Sequence, residues 1–549
     1  MRFVPSVFLV SLIAACSSSS SGPAANGSPA VSAMLTSPAV PTFHTNGKIS
    51  IQAVVTGAPD RVQLTKNGKP LADLVPPYTY LWDTTAEAEA SYELRAVAFA
   101  GGAQAVSDPR TVVVDRTPPS VLSRIPAPAA SKVDVHDPVR VTFSEAIAPA
   151  TLTDASLTLM DGQAHVLTRT LDVDPAGASV TVHVASQIAA PATITAKLTN
   201  AITDLAGNAL TVPPDEWRFT LPEWLAVGSP LGKDEAHAMI LDKAGHPVVV
   251  WQERVGGGYL EHFSAWDGSK WNDLGSGPLD ATPRGFSDLP RLLLDPNGEL
   301  DVGWTDSQFY NRLAQRSGLT WISLAEQSPW KSLGAPNAIV WFDFDAGGHP
   351  LASHGGTKYR WDGNAWQPFP AEPTTAYPKF FAVDATGAAI LAMTNSYANG
   401  TSLQMYTSTG AGWIPMGSNI AMADDNIAFA GNSQSSLRIV GSNGRFSGTA
   451  GVWLWTGSAW DNVPGVGGSV PDLSDGGTPV LGADGALFVI GNASGSNETL
   501  VRKWDGTSWS SFGKTPFFGA RSLAVDANGM PFVAGNQQDS SLQVIRRNQ

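Results

Sequence analysis

Cysteine is almost missing from this chain, with one in 549 residues, at position 16. An intrachain disulfide is excluded, so stability has to come from apolar burial, which a 43% hydrophobic composition can supply. Charge is sparse too. Charged residues make up 15% of the chain, against about 25% in ordinary soluble domains. The balance of 34 basic and 48 acidic residues gives a net charge of −14. With no Lys/Arg cluster, such a chain lacks the electrostatic footprint for nucleic acid or an anionic lipid surface, so nucleic acid is not an expected partner. After residue 16 no run is apolar for the roughly 20 residues a bilayer crossing requires. HExxH, paired cysteines, GxxxxGK[ST] and a GxSxG in supporting context are all missing, which removes the usual footholds for metalloprotease, nucleotide and serine-hydrolase chemistry. The nine histidines do not space as a ligand set. His246 and His349 share one repeat position, Gly-His-Pro, at which Met530 stands in the last copy. No metal or cofactor is expected.

The N-terminus carries what the rest lacks. Arg2 precedes the short apolar stretch FVPSVFLVSLIAA, and Ile13-Ala14-Ala15-Cys16 resembles a bacterial lipobox. The resemblance implies a lipoprotein signal peptide over 1–15, cleavage before Cys16, and a diacylglycerol on its thiol. An ordinary secretory signal or a short membrane segment is the alternative. Residues 16–31 are a Ser/Gly/Pro/Ala run without hydrophobic periodicity, read as a flexible tether. The expected location is therefore exported and lipid-anchored in the cell envelope. The Ser after Cys16 resembles an outer-membrane sorting signal, if the cell has two membranes.

Tryptophan recurs at 224, 271, 330, 366, 413, 460 and 509, with spacings of 47, 59, 36, 47, 47 and 49. A second marker alternates with it: a turn followed by an apolar run, with Gly245, Gly298, Gly348, Gly387, Ser435, Gly485 and Gly529 at the turn. Asp-x-x-Gly suits a strand-to-strand hairpin, and the fifth copy, SQSS, has no such glycine. Short strands repeating every 40–50 residues with a Trp/Gly signature predict a β-propeller over 222–549, one blade per unit and seven blades in all. The Trp224 segment has no partner copy, and the last copy lacks a tryptophan strand. Residues 222–229 should therefore supply the outer strand of the last blade.

Two sandwiches should precede it, making the chain all-β: two Ig-like β-sandwiches followed by a seven-bladed β-propeller. Over 32–115, alternating runs such as Ile51-Gln-Ala53-Val-Val55 break at turns, Asn67-Gly68 being a hairpin signal. The segment PPYTYLWDTT…ASYELRAVAF resembles bacterial Ig-like domains of surface proteins. Trp82 and the neighbouring tyrosines are read as core rather than as a sugar platform. Asp115-Arg-Thr-Pro-Pro119 forms a stiff joint. Beyond it, FSE at 143–145, TDLAGN at 203–208 and Trp217-Arg-Phe219 resemble the bacterial Ig-like family named for S-layer proteins, over 118–221. That resemblance implies a spacer or adhesive module. Glu145, Asp204 and Asn208 have the side chains of a calcium site, although local turn chemistry is the preferred reading.

Four repeats carry a tighter motif: Trp266-DGSK-Trp271, Trp361-DGNA-Trp366, Trp455-TGSA-Trp460 and Trp504-DGTS-Trp509. An aromatic, a Gly turn and a second aromatic describe a hairpin between the last two strands of a blade. The candidate ligand-binding residues are Trp266, Asp267, Trp361, Asp362, Trp455, Trp504 and Asp505. An indole stacks on a sugar face while the carboxylate accepts from hydroxyls, an arrangement similar to the repeats of propeller lectins. The competing reading has the aromatics filling the space between blades and Asp-Gly making the turn. A sialidase-type hydrolase fits less well, because the order Trp-Asp-Gly-x-x-Trp is not an Asp-box and the arginines occupy no repeated position. The expected function is therefore a surface-anchored, non-catalytic binding or adhesion protein whose ligand is a saccharide or an envelope protein, with no catalytic residues. A structural or assembly protein of the envelope is the alternative, and a propeller glycoside hydrolase is third.

Overall fold

The computed structural model describes residues 31–549 apart from short internal stretches, the longest being 275–290, 443–449 and 463–469. The signal peptide, Cys16 and all but the last residue of the tether lie outside the described residues. Among the described residues there is no α-helix, and the chain is all-β. It divides into two compact units. One holds residues up to 129 with 138–186 and 194–219; the other holds 130–137, 187–193 and 220–549.

In the first unit, strand Lys48–Thr56 alternates: Ile49, Ile51 and Ala53 are buried while Lys48, Ser50 and Gln52 face solvent. It lies between Ser32–Ser37 and Thr79–Asp83 in a three-stranded sheet. A second sheet is built on Ala90–Ala100, flanked by Arg110–Val114 and Arg61–Lys66. Ile51, Leu64, Trp82, Leu94 and Val112 fill the core. Trp82 is 2% exposed, packs edge-on to Tyr92 at 5.5 Å and donates its Nε1 to Glu87 Oε1 at 3.2 Å. It is a core residue, as the alternation predicts. The Asn67-Gly68 hairpin is present, with φ of 50° and 75° and Lys66 paired to Lys69. Further along, Val121–Ile125, Val139–Phe143, Ser179–Val184 and Arg169–Val173 form one sheet, and Leu157–Met160, Ala192–Leu198 and Asp215–Leu221 another.

Among the described residues the second unit contains seven sheets, numbered I to VII: 236–273, 291–323, 339–368, 377–422, 427–462, 478–518 and 522–547. Each is an antiparallel meander. Sheet IV carries a fifth strand, Ile420–Met422. Sheet VII takes its fourth strand from Trp224–Ala226, with Trp224 opposite Arg547 and Ala226 opposite Ile545. The pairing expected of residues 222–229 is therefore present.

Among the described residues seven hydrophobic clusters hold the sheets, and each bridges two of them. Val250, Phe263, Leu292 and Val302 join I to II, Leu313 and Phe342 join II to III, and Leu351 and Phe381 join III to IV. Ile390 and Ile439 join IV to V, Val440 and Val489 join V to VI, and Phe488 and Val533 join VI to VII. Phe532 and Val544 then pack with Met239 and Val249, returning from VII to I.

The turn markers sit where their chemistry requires. Asp242, Asp295, Asp345, Asp384 and Asp526 each accept through Oδ1 from the amides two and four residues on. The glycines of these turns have φ between +79° and +87°. In the fifth copy serine replaces this device. Leu437 N donates to Ser433 O at 2.9 Å and Ser433 N to Ser436 Oγ at 3.1 Å.

Candidate functional site

The repeated tryptophans occupy the seams between sheets. The last-strand indole of one sheet donates its Nε1 to a backbone carbonyl in the segment that follows the fourth strand of the sheet before it. Trp271 reaches Val227 O at 2.8 Å, Trp366 reaches Pro329 O at 3.1 Å, Trp413 reaches Pro370 O at 3.0 Å and Trp460 reaches Met416 O at 2.9 Å. In sheet II the indole in this role is Trp321, opposite Arg316 and 3.5 Å from Leu274 O. This corrects the sequence marker at Trp330, which instead begins a 3-10 turn, Trp330–Leu333, and packs on Phe342 and Trp366. With Trp321 in place the spacings 59 and 36 become 50 and 45, and the repeat is even.

Two copies depart from the rule. Trp509 Nε1 is buried without a partner among the described residues. For Trp224 the corresponding acceptor is Phe512 O, and Arg547 Nη1 has taken it at 2.8 Å. Trp224 Nε1 is left buried without a partner. Arg547 also pairs with Glu223 at 2.6 Å and lies over the rings of Trp224 and Phe512 at 5.8 Å.

The candidate binding residues are brought together hairpin by hairpin. In each tight motif the two indoles pack 5.2–5.6 Å apart: Trp266 on Trp271, Trp361 on Trp366, Trp455 on Trp460 and Trp504 on Trp509. Trp504 is buried in the V–VI cluster, and Trp266, Trp361 and Trp455 are half-buried. The aspartates are exposed, but the turn uses their oxygens. Asp267 Oδ1 accepts from the amides of Ser269 and Lys270, and Oδ2 accepts from Asn272. Asp362 accepts from Asn364, Ala365 and Gln367, and Asp505 from Thr507 and Ser508. These bonds favour the ionised form and hold all three carboxyls below the usual range. The Asn272 amide leads for Asp267, the Ala365 amide for Asp362 and the Ser508 amide for Asp505.

Sequence reasoning missed a second set of groups. Between sheets IV and V the seam opens into a groove of about 520 Å³ lined by Ser418, Asn419, Trp453, Ser458, Trp460 and Asn462, among others. The one signal pointing there was Thr456, which stands where the other three tight motifs have aspartate.

In the first unit, the TDLAGN segment makes the turn expected of it: Asp204 Oδ1 accepts from Ala206 N and Asn208 N, and Oδ2 from Asn208 Nδ2. Asp115 and Glu145 join Asp204, with carboxylate oxygens all within 4.8 Å of one another. Oxygen donors of this kind suit a hard divalent cation. Burial, then the charges of Asp115 and Asp204, push the Glu145 carboxyl up to about 7. The folded state therefore keeps a proton that the unfolded chain gives up between about 4.5 and 7. The contribution of Glu145 to stability falls as pH rises through that window. Glu145→Gln is expected to raise the melting temperature at pH 8 and leave it nearly unchanged at pH 4. Parallel losses at both pH values would refute this account.

Residues 115–221 match the family model described as a bacterial Ig-like domain. That segment is a bacterial Ig-like domain. The match begins three residues before the boundary expected at 118. No curated protein matches the chain. Among solved structures it is similar to the β-propeller domain of the Trilobed protease from Pyrococcus furiosus, at 10% identity and a TM-score of 0.38, covering 58% of this chain and 96% of that one. The fucose-specific lectin from Aleuria aurantia is similar at 15% identity and a TM-score of 0.30, covering 45% and 86%. The N-terminal part of the bacterial S-layer protein SbsC is similar at 15% identity and a TM-score of 0.18, covering 37% and 42%.

Proposed function

We propose that this chain is a non-catalytic binding protein of the cell envelope, lipid-anchored at Cys16 and probing its surroundings with a seven-bladed β-propeller carried on two Ig-like sandwiches. The observation that carries it is the cycle of seven hydrophobic clusters, each joining one sheet to the next and the last returning to the first. A platform locked at every seam presents loops and grooves without rearranging, which suits recognition. The bacterial Ig-like domain supports an extracellular or envelope setting.

The anchor is tested by Cys16→Ala, which is expected to move the protein from the membrane pellet to the soluble fraction. A variant that still pellets after a high-salt wash would overturn lipidation at Cys16. The binding role is tested with the full chain on a glycan array and in a capture from envelope extract. A saccharide retained on the array at micromolar affinity supports it. Turnover of any glycoside overturns the non-catalytic reading, and a single stoichiometric envelope partner with a silent array moves the role to assembly.

A further inference from the structure

The repeat is broken in two ways at one seam, and both breaks shape the same groove. Among sheets I to VII, sheet IV alone carries an added strand on its third strand: Ile420 pairs with Leu403 and Ala421 with Ser402. Asn419 Nδ2 donates to Ser402 Oγ at 2.9 Å and Gln404 Nε2 to Gly417 O at 3.3 Å, fixing residues 417–421 as a wall. Across from it, the hairpin of sheet V has lost its carboxylate. Thr456 Oγ1 accepts from Ala459 N at 3.1 Å, the capping role that aspartate takes in the other three motifs.

The seam is also looser here. A Cβ built on Gly228, at the VII–I seam, would lie 2.4 Å from Trp266 Cζ3 and 2.9 Å from Trp271 Cδ1. At Gly417, the same place in the IV–V seam, the distances are 3.1 Å to Trp455 Cζ3 and 3.5 Å to Trp460 Cδ1. The rings approach Gly417 less closely than they approach Gly228, and a groove of about 520 Å³ is lined by residues of both the wall and the sheet V hairpin.

Its lining decides what it takes. Trp453 and Trp460 supply aromatic surface; Trp453 is 5% exposed and closes the floor, while half-buried Trp460 leaves a face accessible. Ser418, Asn419, Ser458 and Asn462 supply hydroxyl and carboxamide groups, and among the described residues no ionisable side chain lines the groove. Strand alternation puts Asp461 on the other face from Trp460 and Asn462. A volume in the range of small-molecule sites, an indole face, and neutral groups that both donate and accept suit a ligand with an apolar C–H face and a hydroxylated rim. The geometry points to a binding site for a neutral saccharide at the IV–V seam, with Trp460 as the stacking surface and Asn462 and Ser418 as hydrogen-bonding walls. This rests on the binding role proposed above and confines it to one seam.

The test is saturation-transfer NMR and titration of the full chain with methyl glycosides of neutral hexoses and N-acetylhexosamines, with glucuronate and sialic acid as charged comparators. Neutral sugars are expected to bind and the charged ones to bind at least tenfold more weakly. Asn462→Ala, an exposed change that leaves the fold intact, should weaken binding about tenfold. Ser418→Trp should fill the groove and abolish binding, and Ser269→Ala in the hairpin of sheet I should change nothing. Binding that ignores both groove variants overturns this site but leaves the general binding role standing. Equal affinity for charged sugars, or silence across the panel, overturns the neutral-saccharide assignment, and the capture from envelope extract then decides the broader role separately.

Discussion

Arg547→Ala is expected to lower the melting temperature of the C-terminal sheets by roughly 6 °C, from a loss of about 3 kcal/mol. The guanidinium is buried, pairs with Glu223 at 2.6 Å, donates to Phe512 O at 2.8 Å and covers two aromatic faces. Removing it strands the Glu223 charge beside sheet VII. Glu223 keeps 30% of its side-chain exposure, so water recovers part of the cost and the loss falls at the low end for a broken buried pair. Lysine should rescue little, because one ammonium cannot hold the carboxylate and the carbonyl while lying flat on the rings. Vacating Phe512 O also frees the acceptor that Trp224 lacks. Calorimetry of the full chain at pH 7 reads the effect, and a loss under 1 °C would show that Arg547 does not secure the closing pair.

The second large effect is at Gly228. Gly228→Ala places a methyl at φ +65°, 2.4 Å from the Trp266 ring. The left-handed backbone costs about 1 kcal/mol for an L-residue and the forced repacking about 2 more, so a loss of about 3 kcal/mol is expected. Gly417→Ala carries the same backbone cost at φ +70°, but its nearest ring atom is 3.1 Å away. It should lose only about 1–2 kcal/mol. Equal losses at the two positions would contradict the difference in seam width.

What could be read in advance was whatever local chemistry enforces. An Asp-x-x-Gly turn is specified by its own residues, and so is the alternation that buries Ile49, Ile51 and Ala53. The strand at 224 was legible because the repeat was one tryptophan strand short at its far end. Trp330 misled because SPWKSLG reproduces the local Trp-to-Gly spacing without the strand. Only the pairing of Trp321 with Arg316 identifies the real seam residue. The groove was illegible for a different reason. Serine, asparagine and alanine are ordinary loop residues, and the space between them depends on how far two sheets stand apart, a distance no single segment encodes. In the same way, Asp115 meets Glu145 and Asp204 only after the chain has folded.

The origin of sheet VII has a consequence for the order of events in time. Trp224–Ala226 emerges some three hundred residues before the strands it will pair with, whether the chain is leaving a ribosome or passing through a translocation channel N-terminus first. Until Leu542–Arg547 arrives, this strand has no native neighbour, and a long waiting edge would invite the wrong one. Its three residues limit that risk, since so short a ladder is a poor template for intermolecular pairing. Buried grip from Arg547, rather than strand length, then has to make the final joint durable. A late-formed contact of this kind slows unfolding more than it speeds folding, so the closing pair acts chiefly as a kinetic latch.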